Sequence, residues 1–236
     1  MYLKTVFELL ELGVTPMRAR IAERLGQSGP TVSQTVARME RDGLLFLDDD
    51  RVIHLSIEGE RIATEVMRKH RLAERHLLDV IGLDFADVHA EACRWEHVMS
   101  IDVEKKIAAL IKPPFVDPYG NPIPGLAALG IEGKNPSFNM TQATNGESGA
   151  TGRGRRLLDV EIGADAVTVT VVSIGEVVQS DIAFLRELAG EGVVPGAEIS
   201  VENDADSLTI RGVRGRGVTL SPVDAGHIRV RENSGL

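Results

Sequence analysis

The chain has 236 residues, 43% of them hydrophobic, which is the content of an ordinary folded protein and allows one large or two to three small domains. The single cysteine, Cys93, excludes an internal disulfide, and with no apolar run long enough for a membrane span and no secretory leader, a reducing cytoplasm is expected. A formal net charge of -9 argues against nucleic acid as a partner of the surface as a whole, although local counts can differ.

Leu3, Val6, Phe7 and Leu10 recur at helical spacing and predict a short amphipathic helix stopped by Gly13. Thr15-Pro16 offers an N-cap and a first-position proline for a second helix, whose stripe is Ile21, Ala22 and Leu25 and whose end is Gly26. After a tight turn through Gly29, Pro30 opens a third helix with Val32, Val36 and Met39 inward and Thr31, Ser33, Gln34, Arg38 and Arg41 outward, ended by Gly43. Two short helices joined by a glycine turn make a helix-turn-helix candidate. From Thr15 to Arg41 there are five Arg against two Glu, and the outward groups suit base edges and phosphates in a major groove. Many helical pairs share this spacing, so by itself it leaves DNA binding open. Leu44 to Leu47, an acidic turn from Asp48 to Arg51, and Val52 to Leu55 predict a hairpin, which in this position would be a wing. Ser56 caps a long helix from about Ile57 to Val80, with Ile62, Val66, Leu72 and Leu77 among its apolar positions.

Between Met67 and Leu110 lie most of the chain's soft and hard metal donors: His70, Glu74, His89, Cys93, Glu96 and His97. His70 and Glu74 stand at i, i+4, stacking an imidazole over a carboxylate on adjacent turns. His89 through His97 reads as one helix, and at about 100° per residue His89, Cys93, Glu96 and His97 share one face while Trp95 points away. Taken singly, such residues are usually solvated side chains or a small buried thiol. Together they suit a divalent first-row transition metal better than Mg²⁺ or Ca²⁺, which prefer all-oxygen shells.

Five prolines between 113 and 124 turn the next segment into ordered loop or extended chain. The stretch from about Glu132 to Gly154 is rich in Gly, Asn, Ser and Thr and reads as a flexible linker and domain boundary. Beyond it, the β-branched runs at 157–162, 167–172, 198–201, 208–211 and 227–230 predict a small antiparallel barrel with one helical segment near Asp181 to Leu188.

Met1-Tyr-Leu-Lys-Thr, Arg18-Ala-Arg-Ile-Ala-Glu-Arg-Leu, the run from Gln27 to Leu44, Met67-Arg-Lys-His-Arg-Leu-Ala-Glu-Arg, Glu91-Ala-Cys-Arg-Trp-Glu-His-Val-Met-Ser and Gly120-Asn-Pro-Ile-Pro-Gly carry a resemblance. Through them the chain resembles the iron-dependent transcriptional repressors of the diphtheria toxin repressor family, nearly continuously over its first 130 residues or so and more weakly beyond. The resemblance implies a mixed α and β, multidomain protein: a winged helix-turn-helix at 1–64, an all-α metal-binding and dimerisation domain at 65–131, a linker at 132–150 and an SH3-like domain at 151–236. It implies two metal sites per chain. The primary site would use Met1, Cys93, Glu96 and His97, and the ancillary site His70, Glu74 and His89 with Glu176 and Gln179 from the third domain. An anion beside the ancillary site would be held by Arg71 and Asn121, where the family's serine is replaced by Asp117, a carboxylate that repels an anion and whose own oxygen could approach the metal. The DNA face would comprise Arg18, Ala19, Ser28, Pro30, Thr31, Ser33, Gln34, Arg38 and Arg41.

The function so implied is repression of iron homeostasis genes. Fe²⁺, with Co²⁺, Ni²⁺, Mn²⁺ and Zn²⁺ as surrogates, would raise the affinity of a homodimer for double-stranded operator DNA, with two dimers per operator. Because the chain starts at the methionine expected to supply the thioether, while family members carry several residues before it, the native protein is expected to begin upstream. Three rival readings remain. An enzyme is disfavoured because no His-Glu-x-x-His, phosphate-cradling glycine loop or Gly-x-Ser-x-Gly occurs. A redox sensor would act through Cys93. A manganese sensor of the same fold sits poorly with a soft thiolate ligand.

Overall fold

The computed structural model describes residues 1–131, 154–163, 165–204 and 207–233, so the expected linker at 132–150 lies outside the described residues. α1 (Tyr2–Leu12) is not the one-faced helix its apolar spacing suggests: Lys4 through Leu10 are all buried, because α4, α2 and the wing enclose it. α2 (Arg18–Leu25) begins later than the Thr15-Pro16 signal. Pro16 is buried instead, and its carbonyl accepts from the Ile53 amide at 2.8 Å, fastening the wing to the helix pair. α3 (Gly29–Arg41) is capped by Ser28, whose hydroxyl accepts from the Thr31 amide at 3.4 Å. Its apolar stripe Val32, Val36 and Met39 is buried. β1 (Leu45–Leu47) and β2 (Ile53–Leu55) form the antiparallel wing, with Phe46 stacked on His54 at 5.1 Å between ring centroids.

α4 (Ile57–His76) runs from the Ser56 cap into a π-turn at Leu77–Ile81. It belongs to two cores. Ala63 and Met67 pack with Val6, Phe7, Ile21 and Val32, whereas Leu72 and Ala73 join a second cluster with Val88, Ala92 and Ile107. α5 (Val88–Trp95) and α6 (Ile101–Leu110) complete the helical layer.

The proline-rich segment folds back through the isolated bridge Val116↔Pro122. Asp117 Oδ1 organises its turn by accepting from the amides of Tyr119 and Asn121, both at 2.8 Å. Gly120, at φ +86°, closes that turn so near the third domain that a Cβ there would lie 2.1 Å from the Val172 carbonyl oxygen. Only glycine tolerates both the backbone angle and the approach.

Beyond the undescribed stretch come β3 (Arg155–Arg156), β4 (Val167–Ile174), α7 (Glu176–Gln179), α8 (Ile182–Gly190), β5 (Glu198–Asp204), β6 (Ser207–Arg211), β7 (Gly217–Leu220), α9 (Pro222–Gly226) and β8 (Ile228–Glu232). The six strands form one antiparallel sheet in the order β3-β8-β4-β5-β6-β7. The run at 157–162 is not a strand: Leu157–Asp159 is a 3-10 turn that buries Leu157 and Val160 under the sheet, so its apolar spacing serves a corner. The second core continues without a break from Leu72 through Tyr119 and Ile123 to Val169, Val178 and Val230. No helix among the described residues is long and apolar enough to cross a membrane.

Candidate metal centre and nucleic-acid face

α4 and α5 each contribute an i, i+4 pair to one buried cluster. On α4, His70 Nε2 lies 2.8 Å from Glu74 Oε1, and both side chains are fully buried. On α5, Cys93 Sγ lies 3.6 Å from His89 Nε2. The two helices meet where His70 Nε2 comes within 3.2 Å of His89 Nδ1, itself 3.1 Å from Glu74 Oε1. One donor atom each from His70, His89 and Cys93 fall within 4.8 Å of one another. Glu96 enters from just past α5, its Oε2 2.8 Å from His70 Nδ1.

Two expected primary ligands stand apart. Met1 is 70% exposed at the start of α1. His97 is exposed because α5 ends at Trp95 and the following turn carries the imidazole outward, leaving its Nε2 3.4 Å from Glu96 Oε1. The expected single face from His89 to His97 therefore holds through Glu96 and loses His97. Cys93 and Glu96, assigned with those two, are instead in contact with His89 and His70, assigned to the ancillary set.

The third domain reaches the same cluster. Glu176 and Gln179 on α7 are buried, and Gln179 Nε2 donates to the Ile174 carbonyl at 2.7 Å. Glu74 Oε2 and Gln179 Oε1 are buried without a hydrogen-bond partner, while the Glu176 oxygens have ion-pair neighbours, Lys4 Nζ at 3.4 Å and an Arg71 nitrogen at 3.6 Å. Such orphaned acceptors are costly unless a cation satisfies them. The charge balance says the same: Glu8, Glu74, Glu96, Asp117 and Glu176 are buried around Lys4 and Arg71. Glu8 is also paired with Arg24 at 3.1 Å, so five carboxylates face three permanent cations and two negative charges are left to other groups.

Protons make up that difference. Burial disfavours a charged His70, but Glu74 overrides it and holds the imidazole well above its usual range. His89 is likewise pushed up to about 9, burial being outweighed by its contacts with Cys93 and Glu74. Burial opposes the Cys93 thiolate, yet the two histidines bring the thiol down to about 6. Asp117 is pushed up to about 8 by burial and by Glu74. Two imidazoles that now hold protons, a thiolate, and the ionised carboxylates of Glu74, Glu96 and Glu176 are a donor set that a divalent transition metal fits, with proton release from the imidazoles as it binds.

At Arg71 and Asn121, where an anion is expected, the protein's own Asp117 carboxylate stands. Asp117 Oδ2 accepts from Asn121 Nδ2 at 2.9 Å and lies 3.6 Å from Arg71 Nε. The other Arg71 nitrogens bind Glu11 at 2.9 and 2.5 Å and the Pro122 carbonyl at 2.7 Å. Sequence reasoning passed over Lys4 and Glu8, which lie one turn apart on α1 and are buried among these groups. The available signal was an i, i+4 opposite-charge pair in an otherwise apolar helix. Beside them a cavity of about 260 Å³ opens where the three units meet, lined by Glu8, Arg24, Arg71, Glu176, His227 and Arg229 among others.

On the opposite side of the first core, α3 presents Pro30, Thr31, Gln34, Arg38 and Arg41 to solvent, with Ser28 and Ala19 exposed and Ser33 and Arg18 half-buried. Arg18, Arg38 and Arg41 make no ion pair among the described residues. Ser28 spends its hydroxyl on capping α3 and on Thr31 Oγ1 at 2.8 Å.

A winged helix-turn-helix, a helical unit with a buried His, Cys and Glu cluster, and a small β domain feeding the same cluster define a metal-responsive DNA-binding regulator. The chain belongs to the iron-dependent repressor family. Its model for the N-terminal DNA binding domain matches residues 1–52, that for the metal binding and dimerisation domain residues 56–125, and that for the diphtheria toxin repressor SH3 domain residues 152–232. The chain is 52% identical over 202 residues to the iron-dependent repressor IdeR of Mycobacterium tuberculosis (strain ATCC 25618 / H37Rv), covering 86% of this chain and 82% of that protein. It is 45% identical over 232 residues to the diphtheria toxin repressor of Corynebacterium diphtheriae, covering 98% and 96%. Among solved structures, a manganese-dependent transcriptional repressor in complex with manganese superposes with a TM-score of 0.71 at 27% identity, covering 98% of each chain.

Proposed function

We propose that the chain is a cytoplasmic Fe²⁺-dependent repressor, without catalytic activity, that binds operator DNA as a homodimer, two dimers to an operator, and controls iron homeostasis genes. The observation that carries this reading is the convergence of His70, His89 and Cys93 within 4.8 Å beside Glu74 and Glu96. A thiolate with imidazoles and carboxylates favours Fe²⁺ over Mn²⁺, and since raw affinity rises toward Ni²⁺ and Cu²⁺, availability in the cell completes the selection.

The primary ligands we assign are Met1, Cys93, Glu96 and His97, and the ancillary ligands His70, Glu74, His89, Glu176 and Gln179. The bound cation supplies positive charge that holds carboxylates and imidazoles from separate segments together. What this chain contributes is their placement: Met1 begins α1, which packs on α4 and α2, so ordering the chain's start orders the helix-turn-helix. Metal and operator then favour the same arrangement, and by linkage each tightens the other. The dimer face is supported by apolar side chains left at the surface of the helical unit, Val80, Ile81, Val98, Ile101, Val103 and Leu110, each at least 46% exposed. The unit boundaries we propose are 1–64, 65–131 and 151–236, placing the first division inside α4, shortly before the two cores part between Met67 and Leu72.

An anoxic titration of operator DNA with Fe²⁺, run beside Mn²⁺, Co²⁺, Ni²⁺ and Zn²⁺, tests the reading. Metal-dependent binding that disappears in Cys93→Ala supports it, and full activation of that variant by Fe²⁺ defeats it. The low thiol pKa of Cys93 favours one second reading, a thiol switch. Loss of DNA binding on adding peroxide to metal-free protein would select that reading instead.

A further inference from the structure

Lys4 belongs to neither proposed ligand set, yet its ammonium lies between them. Nζ donates to Glu96 Oε2 at 3.0 Å and lies 3.2 Å from His70 Nδ1 and 3.4 Å from Glu176 Oε2, with the side chain 8% exposed. These partners come from α4, the turn after α5 and α7, while Lys4 itself is on α1. One side chain therefore joins all three units at the cluster.

An ammonium has three donors and no lone pair, so it cannot itself be a ligand, and it repels a divalent cation brought to the same carboxylates. We propose that Lys4 is a built-in counter-cation: it holds the metal-free cluster together and competes with metal for Glu96 and Glu176, so that loading the cluster expels the Lys4 side chain and shifts α1. The inference rests on the metal-centre reading given above.

Three features carry it. The buried carboxylates of Glu96 and Glu176 converge from separate units on one point, and Lys4 is the side chain placed between them in the metal-free chain. Glu74 Oε2 and Gln179 Oε1, buried without a hydrogen-bond partner, show that the ammonium satisfies the cluster only in part, leaving room for a better cation. Finally, Met1 precedes Lys4 by three residues, one helical turn on the same face. Withdrawal of Lys4 and entry of Met1 are then two ends of a single displacement of α1. Whatever stability Lys4 lends the metal-free state is subtracted from metal affinity, which sets the metal concentration at which the protein responds.

The test uses the full chain under anoxia, with Co²⁺ as probe and the cobalt–thiolate absorption of Cys93 as readout. Lys4→Met is expected to bind Co²⁺ about tenfold or more tightly than the unchanged protein, a gain of about 1.4 kcal/mol, and to melt at lower temperature when metal-free. Lys4→Arg, which keeps the charge, is expected to stay close to the unchanged protein in both measurements. Should Lys4→Met not fold, Lys4→Gln takes its place. Cobalt affinity that is unchanged or weaker in the folded neutral variant overturns the proposal. Absence of a cobalt–thiolate band in the unchanged protein would instead overturn the metal-centre reading beneath it.

Discussion

The Arg229 guanidinium donates to the Glu11 carbonyl at 3.0 Å, across 218 residues of sequence. The last strand of the third domain thereby satisfies an acceptor in the final turn of α1, where helix carbonyls lack intrahelical partners and favour a cation. Charged hydrogen bonds of this kind contribute about 1.5–3 kcal/mol. Arg229→Ala is expected to lower the melting temperature by about 2–4 °C for each kcal/mol lost. It is also expected to speed amide exchange at the end of α1, and unchanged exchange there would show that the contact does not hold the domains together.

Gly120 should be intolerant for a separate reason. Its positive φ and its approach to the Val172 carbonyl mean that Gly120→Ala strains the turn and pushes β4 away, carrying α7 with it. The expected outcome is a protein that retains the primary site and loses affinity at the site that uses Glu176 and Gln179. Metal titration by calorimetry reads this directly. Two sites of unaltered affinity in the alanine variant would remove the case for domain docking through this turn.

His227 gives the junction a pH dependence of known sign. Burial and the nearby Arg24 bring its imidazole down to about 4, opposed by Asp224, and its Nδ1 is buried without a hydrogen-bond partner. Glu8, Glu11, Glu176 and Arg229 line the same cavity. An unfolded chain takes up this proton near pH 6.5, as histidine ordinarily does, so between about 6.5 and 4 the native state holds fewer protons. Its contribution is therefore full above pH 6.5 and is lost as pH falls toward 4. Glu8, pushed up to about 8 by burial and Glu176, and Asp117, also about 8, slope the other way and are present in either protein. The quantity to compare is thus the difference in melting temperature between the unchanged chain and His227→Gln at each pH. That difference should shift in the variant's favour on acidification through this window, and parallel curves would rule the assignment out.

On the proposed DNA face, Arg38, Arg41 and Gln34 are exposed and Arg18 is half-buried, and the arginines are expected to hold phosphates while Gln34 meets a base edge. Each Arg→Ala should reduce the log–log salt slope of operator binding by about one and weaken all sequences alike. Gln34→Ala should relax preference at one base pair, at a cost of about 1–3 kcal/mol on the favoured base. Four substitutions with indistinguishable effects on every operator variant would contradict the division.

Much of this arrangement is written in local spacing. Val32, Val36 and Met39 repeat at the period of a helix with one buried face, and α3 is such a helix. His70 and Glu74 meet because i, i+4 positions always do. Lys4 is different. A lone lysine in an apolar helix reads as solvated, and its burial depends on α2, α4 and the wing closing around α1, which no window of α1 contains. Glu176 and Gln179 are similar, since only the family resemblance singled them out, and their burial arises from the docking of a domain more than 80 residues away from His89 in sequence. At His97 good helix formers continue past the helix end, but Glu96 is drawn toward His70 and Lys4 and the chain turns after Trp95.

α4 contains no glycine or proline after Gly59, and its two halves are gripped by different cores. It is therefore a stiff lever with a clamp at each end. Its 20 residues rise about 30 Å, so a tilt of only about 5° where the metal-side clamp holds it displaces the far end by about 2.5 Å. In a symmetric pair of chains the two reading helices must meet successive major grooves about 34–36 Å apart. A displacement of that size in each arm is enough to bring them into or out of step with the groove, without either core having to repack.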